Sequence, residues 1–279
     1  MSKITFPSVA ANQGTPEKLR LSHRHRSFAS MRAISALVLR EMSTTNGKSA
    51  GGYLWAVAEP VGSIVLLTAI FSLVLASPPI GTNFPIFYAT GMVPFLFFMA
   101  ISTRVSQSVT YSKALLAYPA VTFMDALLGR MIMNGITQML VAYIIFAALL
   151  IFQETRTDPQ AGGIALALFM AFFFGAAVGV MNCFLNEAFS WWAKVWSILN
   201  RPLILVSCVL FVYDDLPRPF ADYLWYNPLV HIVGQMRKSF YPFYAGEYVS
   251  IAYVFGVSLL LYALGLALLI RYHRDLQNS

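Results

Sequence analysis

Three strings in this sequence carry side chains of the kind that do chemistry, and each stops short of a catalytic pattern. Gly47-Lys48-Ser49 has the ending of a phosphate-cradling loop, in which backbone N–H groups and a lysine wrap a nucleotide. That loop needs a further glycine five residues before Gly47, where the residue is Met42, and no strand-like run precedes it. ATP is therefore not held by this route, and ATP-driven work requires a partner chain. Asp214-Asp215 is an adjacent acidic pair at the edge of an apolar run, whereas metal-dependent sugar transferases use spaced carboxylates. The pair reads as the polar end of a helix on the outer face. Neither a His-Glu-x-x-His zinc pattern nor a Gly-x-Ser-x-Gly nucleophile turn occurs.

Glu59 is the third candidate. A carboxylate inside a membrane span costs about 2.5–3.5 kcal/mol on insertion scales, so it is expected to face protein or water. Two roles stay open for it: a pore or gating carboxylate, or a capped glutamate near the membrane interface. Cys183 and Cys208 lie within apolar segments and read as small buried apolar residues rather than as a disulfide or metal pair. Gly175 and Gly179 form a small-xxx-small pair of the kind that lets two helices approach closely.

The elements that carry these residues follow from composition. The 279 residues are 58% hydrophobic and only 11% charged, with a mean hydropathy of +0.65. A soluble domain is about a quarter charged, so lipid must be the main solvent here. The net charge of +7 could signal nucleic acid, but the bases sit at the ends of apolar runs, as membrane topology requires. Nucleic acid is not expected as a partner; membrane lipids are.

Residues 1–26 form a basic tail with no apolar leader segment, expected to stay in the cytoplasm. Between 27 and 52, Met31, Ile34, Leu37, Val38 and Met42 recur at helical spacing while Arg32 and Arg40 take another face. That run is too polar to span and is expected to lie along the interface. Spans are then expected near 53–76, 84–102, 126–152 and 162–185. The apolar run from Arg201 to Asp214 is only a dozen residues, and a span needs about 20. Its helix must begin nearer Trp196, with Arg201 snorkelling to the cytoplasmic edge. Segment 216–247, with Pro217, Pro219, Pro228 and Pro242, is neither span nor loop; short broken helices dipping into the outer face satisfy its backbone. A sixth span is expected at 248–270, and 274–279 is a short cytoplasmic tail. With both termini inside, Arg156, Arg218, Arg237 and Lys238 are the outer bases and the other fifteen of the 19 are cytoplasmic. The fold class is thus an all-α membrane protein with six spans, an amphipathic interface helix and re-entrant helices before the sixth span.

Leu39-Arg40-Glu41-Met42, Gly47-Lys48, Gly52-Tyr53-Leu54-Trp55-Ala56-Val57 and Glu59-Pro60 together resemble the entry of ABC-2 type permeases. The likeness is strongest to the branch that exports capsular polysaccharide in Gram-negative bacteria. Gly91-Met92-Val93-Pro94-Phe95 with Ile101-Ser102, Arg201-Pro202-Leu203 with Ser207-Cys208, and Asn227-Pro228-Leu229-Val230-His231 continue it in order. The resemblance covers roughly residues 35–273, so that 53–273 corresponds to the six-helix domain.

What the resemblance implies is a homodimeric inner-membrane permease with two separate ABC ATPase subunits, which carry the ATP and Mg; this chain needs no cofactor of its own. A coupling helix, matched here by 112–122, would dock on the ATPase. Arg40, Glu41, Lys48, Lys113, Leu115, Tyr118 and Pro119 are its expected coupling residues. The cargo would be a lipid-linked polysaccharide, with a periplasmic export adaptor as a further candidate partner. Aromatic faces pack on sugar rings, which selects Tyr88, Phe95, Phe97, Phe98, Trp225 and Tyr226 as pore candidates beside Glu59. An interfacial aromatic belt or helix packing accounts for each of them equally well. Arg237 and Lys238 could attract an acidic glycan or lipid phosphate. The rivals are an exporter of O-antigen, teichoic acid or a small drug, a membrane enzyme acting on polyprenyl-linked sugars, and a purely structural subunit.

Overall fold

A computed structural model describes residues 35, 38, 51–111, 122–153 and 157–278. The coupling candidates Arg40, Glu41, Lys48, Lys113, Leu115, Tyr118 and Pro119 lie outside the described residues, as does the tail 1–26. Of the expected interface helix, Ser35 and Val38 are described, and both are helical.

The described residues form helices joined by short connections. In chain order these are α1 (Gly51–Val74), α2 (Phe84–Ser106), α3 (Phe123–Phe152), α4 (Ala161–Ala188) and α5 (Trp192–Val206). A 3-10 turn (Tyr213–Asp215) follows, then α6 (Arg218–Leu224), α7 (Pro228–Phe240) and α8 (Ile251–Asn278). Five of them, α1 to α4 and α8, are long and apolar enough to cross a membrane. Each is apolar over most of its length, with few charges, because lipid or protein surrounds it on all sides.

Local signals set the ends. Asn83 precedes Pro85 at the start of α2, where a missing N–H costs nothing. Thr122 and Asp125 form a reciprocal capping box at the start of α3: the Asp125 N–H donates to Thr122 Oγ1 at 3.2 Å and the Thr122 N–H to Asp125 Oδ2 at 3.0 Å. The tight turn between α1 and α2 uses Gly81 at φ +81°, and a Cβ there would stand 2.7 Å from the Tyr241 ring.

The core is the contact between α2 and α4. A Cβ added at Gly179 would stand 2.7 Å from Val105 Cβ, and one at Gly175 would stand 3.1 Å from the Phe98 carbonyl. The small-xxx-small pair thus lets the α4 backbone approach α2 side by side. Phe98 stacks on Phe174 across the same contact, ring centroids 5.1 Å apart. α7 is buried along almost its whole length against α2 and α4, and α8 closes the far side of α4. α1 and α5 lie at the periphery; α5 has no buried residue at all.

The expected fifth span departs from expectation. Its helix begins at Trp192 and ends at Val206, leaving 15 residues, or about 22 Å at the helical rise. From Ser207 to Val212 the backbone is not helical, and Cys208 takes a positive φ of 54° that side-chain-bearing residues rarely adopt. Helical pairing stops there because other side chains take the freed carbonyls. Asn227 Nδ2 donates to the Val206 carbonyl at 3.1 Å, and Arg237 donates to those of Val209 and Phe211. Irregular backbone in an apolar setting survives only with such partners. Residues 216–247 do form short broken helices, α6 and α7. Both cysteines are free and buried.

Candidate substrate cavity

The peripheral position of α1 and α5 leaves an opening in the bundle. A cavity of about 600 Å³ lies between α1, α2, α3 and α5. It sits toward the end of the bundle where α1 begins and α2 finishes. Its lining is unexpectedly polar for a set of apolar helices. α2 contributes Thr103, Arg104 and Gln107 beyond Ser106 at its end; α3 contributes Asn134, Thr137 and Gln138; α5 contributes Asn200 and Arg201; α1 contributes Glu59. Residues three and four apart on a helix share a face, so 103/107 and 134/137/138 each place their polar groups together.

Local hydrogen bonds orient part of this lining. Asn134 Nδ2 donates to the Arg130 carbonyl at 2.8 Å, and Thr137 Oγ1 to the Met133 carbonyl at 2.9 Å. Both bonds point the donor back along α3 and satisfy it within the helix. Asn200 Oδ1 is buried with no hydrogen-bond partner among the described residues. An unpaired buried acceptor costs about 1–3 kcal/mol, which a ligand donor or water in the cavity would recover. Arg104 and Arg201 are both exposed and line the cavity together with Glu59, an excess of one positive charge.

One lining residue, Arg104, is tied through its carbonyl to a buried arginine of α3. Arg130 is buried; its Nη1 donates to the Arg104 carbonyl at 3.0 Å, and its guanidinium lies 4.5 Å from the Tyr111 ring centroid. Tyr111 is the last described residue before the 112–121 segment, and the Thr122–Asp125 box is the first feature after it. Thr110 Oγ1 also donates to Glu187 Oε1 at 2.7 Å, joining the helical turn just beyond α2 to the end of α4.

Of the aromatic candidates, Phe95 lines the cavity with Glu59, and the rest lie elsewhere. Tyr88, Phe97 and Phe98 are fully buried; Tyr88 packs among Phe71, Phe84 and Phe87, and Phe98 faces α4. Trp225 and Tyr226 lie at the α6–α7 corner. There the Trp225 indole N–H donates to the Tyr248 carbonyl at 3.2 Å, and Tyr226 is exposed. Lys238 is exposed on α7. Arg237, expected as an outward-facing cation, is instead fully buried over the Phe87 ring, with two backbone carbonyls as its partners. The cavity residues Thr103, Gln107, Asn134, Thr137, Gln138 and Asn200 were not selected from sequence. Their signal was present as polar residues at three- and four-residue spacing inside apolar runs.

The corner around α7 is a second ordered region. His231 is buried: the Ser250 N–H donates to its Nδ1 at 3.1 Å, so Nε2 carries the proton and donates to the Trp225 carbonyl at 2.7 Å. Burial pushes the imidazole below its usual range, partly opposed by the backbone at Trp225 and Tyr248. Tyr244 and Tyr248 join through their hydroxyls at 3.2 Å, and burial raises both phenols.

Residues 32–241, which include every helix from α1 to α7, match the model of the ABC-2 type transporter family. The chain belongs to that family. The cavity and α7 of this ABC-2 protein fall within the matched residues, and Tyr244, Tyr248, Ser250 and α8 follow them. Among curated proteins, this ABC-2 chain is 30% identical to the polysialic acid transport protein KpsM of Escherichia coli, over 84% of this chain and 91% of that protein. It is 24% identical to the capsule polysaccharide export inner-membrane protein CtrC of Neisseria meningitidis, over 88% and 93% respectively. The O-antigen export system permease protein RfbA of Klebsiella pneumoniae is 24% identical over 75% of this chain and 80% of its own length.

Proposed function

We propose that this chain is the membrane permease subunit of an ATP-driven exporter that carries a lipid-linked capsular polysaccharide across the bacterial inner membrane. The observation that carries the reading is the polar cavity of about 600 Å³ inside an otherwise apolar bundle, in a chain of the ABC-2 family. Intramembrane polar groups are expensive to insert and mark a path for a polar cargo. The relatives named for polysialic acid transport and capsule polysaccharide export supply the cargo class. The O-antigen permease relative supports a second reading in which the glycan is an O-antigen.

In this reading both termini are cytoplasmic, α5 with residues up to 212 makes the fifth crossing, and α8 makes the sixth. Two copies pair, and two ATPase subunits dock on 112–122 and on the interface segment that includes Arg40, Glu41 and Lys48. Nucleotide-driven closure of the ATPases pushes Lys113, Leu115, Tyr118 and Pro119, and the Tyr111–Arg130–Arg104 chain of contacts carries that push to the cavity. Glu59 and Phe95 meet the glycan, which leaves past Trp225, Tyr226 and Lys238 toward a periplasmic adaptor. The chain itself is a transport subunit and performs no chemistry.

Co-purification tests this. The tagged chain extracted in mild detergent should bring an ATPase subunit in equal amount, and the reconstituted complex should move polysaccharide only with ATP. A chain that purifies alone and retains no ATPase under any extraction refutes the permease reading; turnover of a lipid-linked sugar by the chain alone would replace it with the enzyme.

A further inference from the structure

At the opposite end of the bundle the connecting turns enclose a smaller cavity of about 350 Å³. Three parts of the chain build it: Gly81, Thr82, Asn83 and Ile86 from the start of α2, Thr157 ahead of α4, and Tyr241 with Phe243 just after α7. Backbone bonds fix these parts. The Gln160 N–H donates to the Ser239 carbonyl at 2.8 Å, tying the start of α4 to the end of α7, and the Tyr241 N–H donates to the Arg237 carbonyl at 2.9 Å. A Cβ built on Gly81 would stand 3.4 Å from the Tyr241 hydroxyl oxygen, so that hydroxyl lies beside a lining residue.

Two hydroxyls of this lining have no partner in the fold. Tyr241 is only 1% exposed, and its phenol oxygen is buried without a hydrogen bond among the described residues; Thr157 Oγ1 is in the same state. Buried polar groups are ordinarily paired, so two orphans on one small cavity mark bonds open to an occupant. Beside them the Tyr241 and Phe243 rings meet at 56°, centroids 5.7 Å apart, and Phe243 is largely exposed. A water molecule would satisfy the hydroxyls and leave this aromatic corner unused.

From this we infer that the cavity is a binding subsite for one uncharged pyranose ring. Ring hydroxyls pair with Tyr241 and Thr157, and the apolar face of the ring packs in the Tyr241–Phe243 corner. Charge excludes an acidic sugar, because none of the described lining residues carries a charge. Arg237, four residues before Tyr241, already gives both terminal nitrogens to backbone carbonyls. A carboxylate brought here would lose water without gaining a cation. Size sets a single ring, since the volume is at the lower end of the about 300–1,000 Å³ of ligand sites. The inference rests on the permease reading for its meaning, which puts this end of the bundle at the outer face. The subsite then holds a ring of the glycan after it has crossed, and the repeat of the cargo includes an uncharged sugar.

The test uses the purified complex with its ATPase in phosphatidylcholine nanodiscs, because sugar-headed detergents would occupy the site. Saturation-transfer NMR compares two neutral probes, maltotriose and chitotriose, with two acidic ones, a trimer of sialic acid and trigalacturonate. At least one neutral probe should take up saturation from the protein, and the acidic probes should not. Thr157→Val and Tyr241→Phe should each weaken binding about tenfold, the worth of one hydrogen bond, and Phe243→Ala should weaken it severalfold. Tyr241→Phe also removes an unpaired buried hydroxyl, so its melting temperature without sugar should equal or exceed that of the parent. A hydroxyl with a structural role would lower it.

No transfer to either neutral probe, equal transfer to the acidic ones, or indifference to all three substitutions would overturn the inference. Loss of a co-purifying periplasmic adaptor from the Phe243→Ala complex, with sugar binding unchanged, would also overturn it, by making the cavity a socket for a protein. If the ATPase is retained and ATP-dependent export proceeds while no sugar binds, the subsite alone fails. If a neutral sugar binds here and no ATPase is retained, the subsite stands and the permease reading fails.

Discussion

Arg237 reaches back twenty-six residues to the carbonyl of Phe211, donating from Nη1 at 2.7 Å, while its Nη2 holds the Val209 carbonyl at 2.8 Å. The guanidinium is wholly buried and rests on the Phe87 ring, so α7, the unwound 207–212 segment and α2 meet at one side chain. Its fork geometry serves two carbonyls at once, which an ammonium on a flexible stem does less well. Arg237→Met leaves both carbonyls without their donor and should destabilise the protein by about 2–5 kcal/mol. Arg237→Lys should recover part of the loss. Thermal unfolding in detergent reads both, and an Arg237→Met protein as stable as the parent would contradict the assignment.

Close approach of α4 to α2 depends on the absence of a side chain at Gly179. Gly179→Ala forces a methyl within 2.7 Å of Val105 Cβ and within 3.0 Å of the Ser102 carbonyl. Overpacking of this kind should cost about 1–3 kcal/mol. Gly62→Ala on α1 meets nothing within 4 Å and should be neutral or slightly stabilising. Comparing the two melting temperatures separates helix packing from a general intolerance of substitution.

The buried, neutral His231 makes stability depend on pH in a known direction. Its folded pKa is lowered by burial, so the unfolded chain binds the proton more readily. The contribution is fully present above the unfolded value of about 6.5 and is lost as pH falls from there toward the folded value. Over that window the slope cannot exceed about 1.4 kcal/mol per pH unit. Unfolding followed from pH 8 to 5 should show this loss, and His231→Gln should flatten it while lowering stability at pH 8. A profile unchanged by His231→Gln would assign the dependence to other groups.

Cavity polarity should matter for transport more than for folding. Asn134 and Gln138 are only partly buried, so Asn134→Leu with Gln138→Leu should leave the melting temperature within a few degrees of the parent. ATP-dependent polysaccharide export should fall severalfold, because the path would no longer offer hydrogen bonds to hydroxyls. Undiminished export by the double variant would move the path away from this cavity.

The coupling contact makes a different demand. Arg130→Met removes the bond to the Arg104 carbonyl and the contact with Tyr111. ATPase binding should survive, since the proposed docking segment 112–122 is untouched, while ATP hydrolysis loses its link to export. The measurement is the ratio of glycan moved to ATP consumed, and an unchanged ratio would exclude Arg130 from the coupling chain.

Four of the five long apolar helices lie within a few residues of where hydropathy puts them, since a lipid-facing run must be apolar along its whole length. α5 was harder to read. Its end at Val206 is set by Asn227 and Arg237, which lie far along the chain, and local composition carries no trace of that pairing. The broken character of 216–247 was legible from its prolines, yet the burial of Arg237 was not, because an arginine near a membrane edge ordinarily snorkels. Aromatic chemistry drew attention to Tyr88, Phe97 and Phe98, and ring type says nothing about which helix face a ring occupies. The spacing of Asn134, Thr137 and Gln138 is both chemical and positional, and it places them together on the cavity lining.

α1 stands apart from its neighbours in what its displacement would cost. In water, pulling a helix from its bundle exposes apolar surface and is strongly resisted. In a bilayer, α1 trades one apolar neighbour for another, because acyl chains receive Leu54, Val65 and Leu66 as readily as protein does. The α2–α4 pair has no such freedom, since its backbones meet through glycines and no lipid tail fits so closely. The protein is therefore divided into a rigid frame and a leaf hung on it at Pro60, where a missing N–H already weakens the helical ladder beside the cavity.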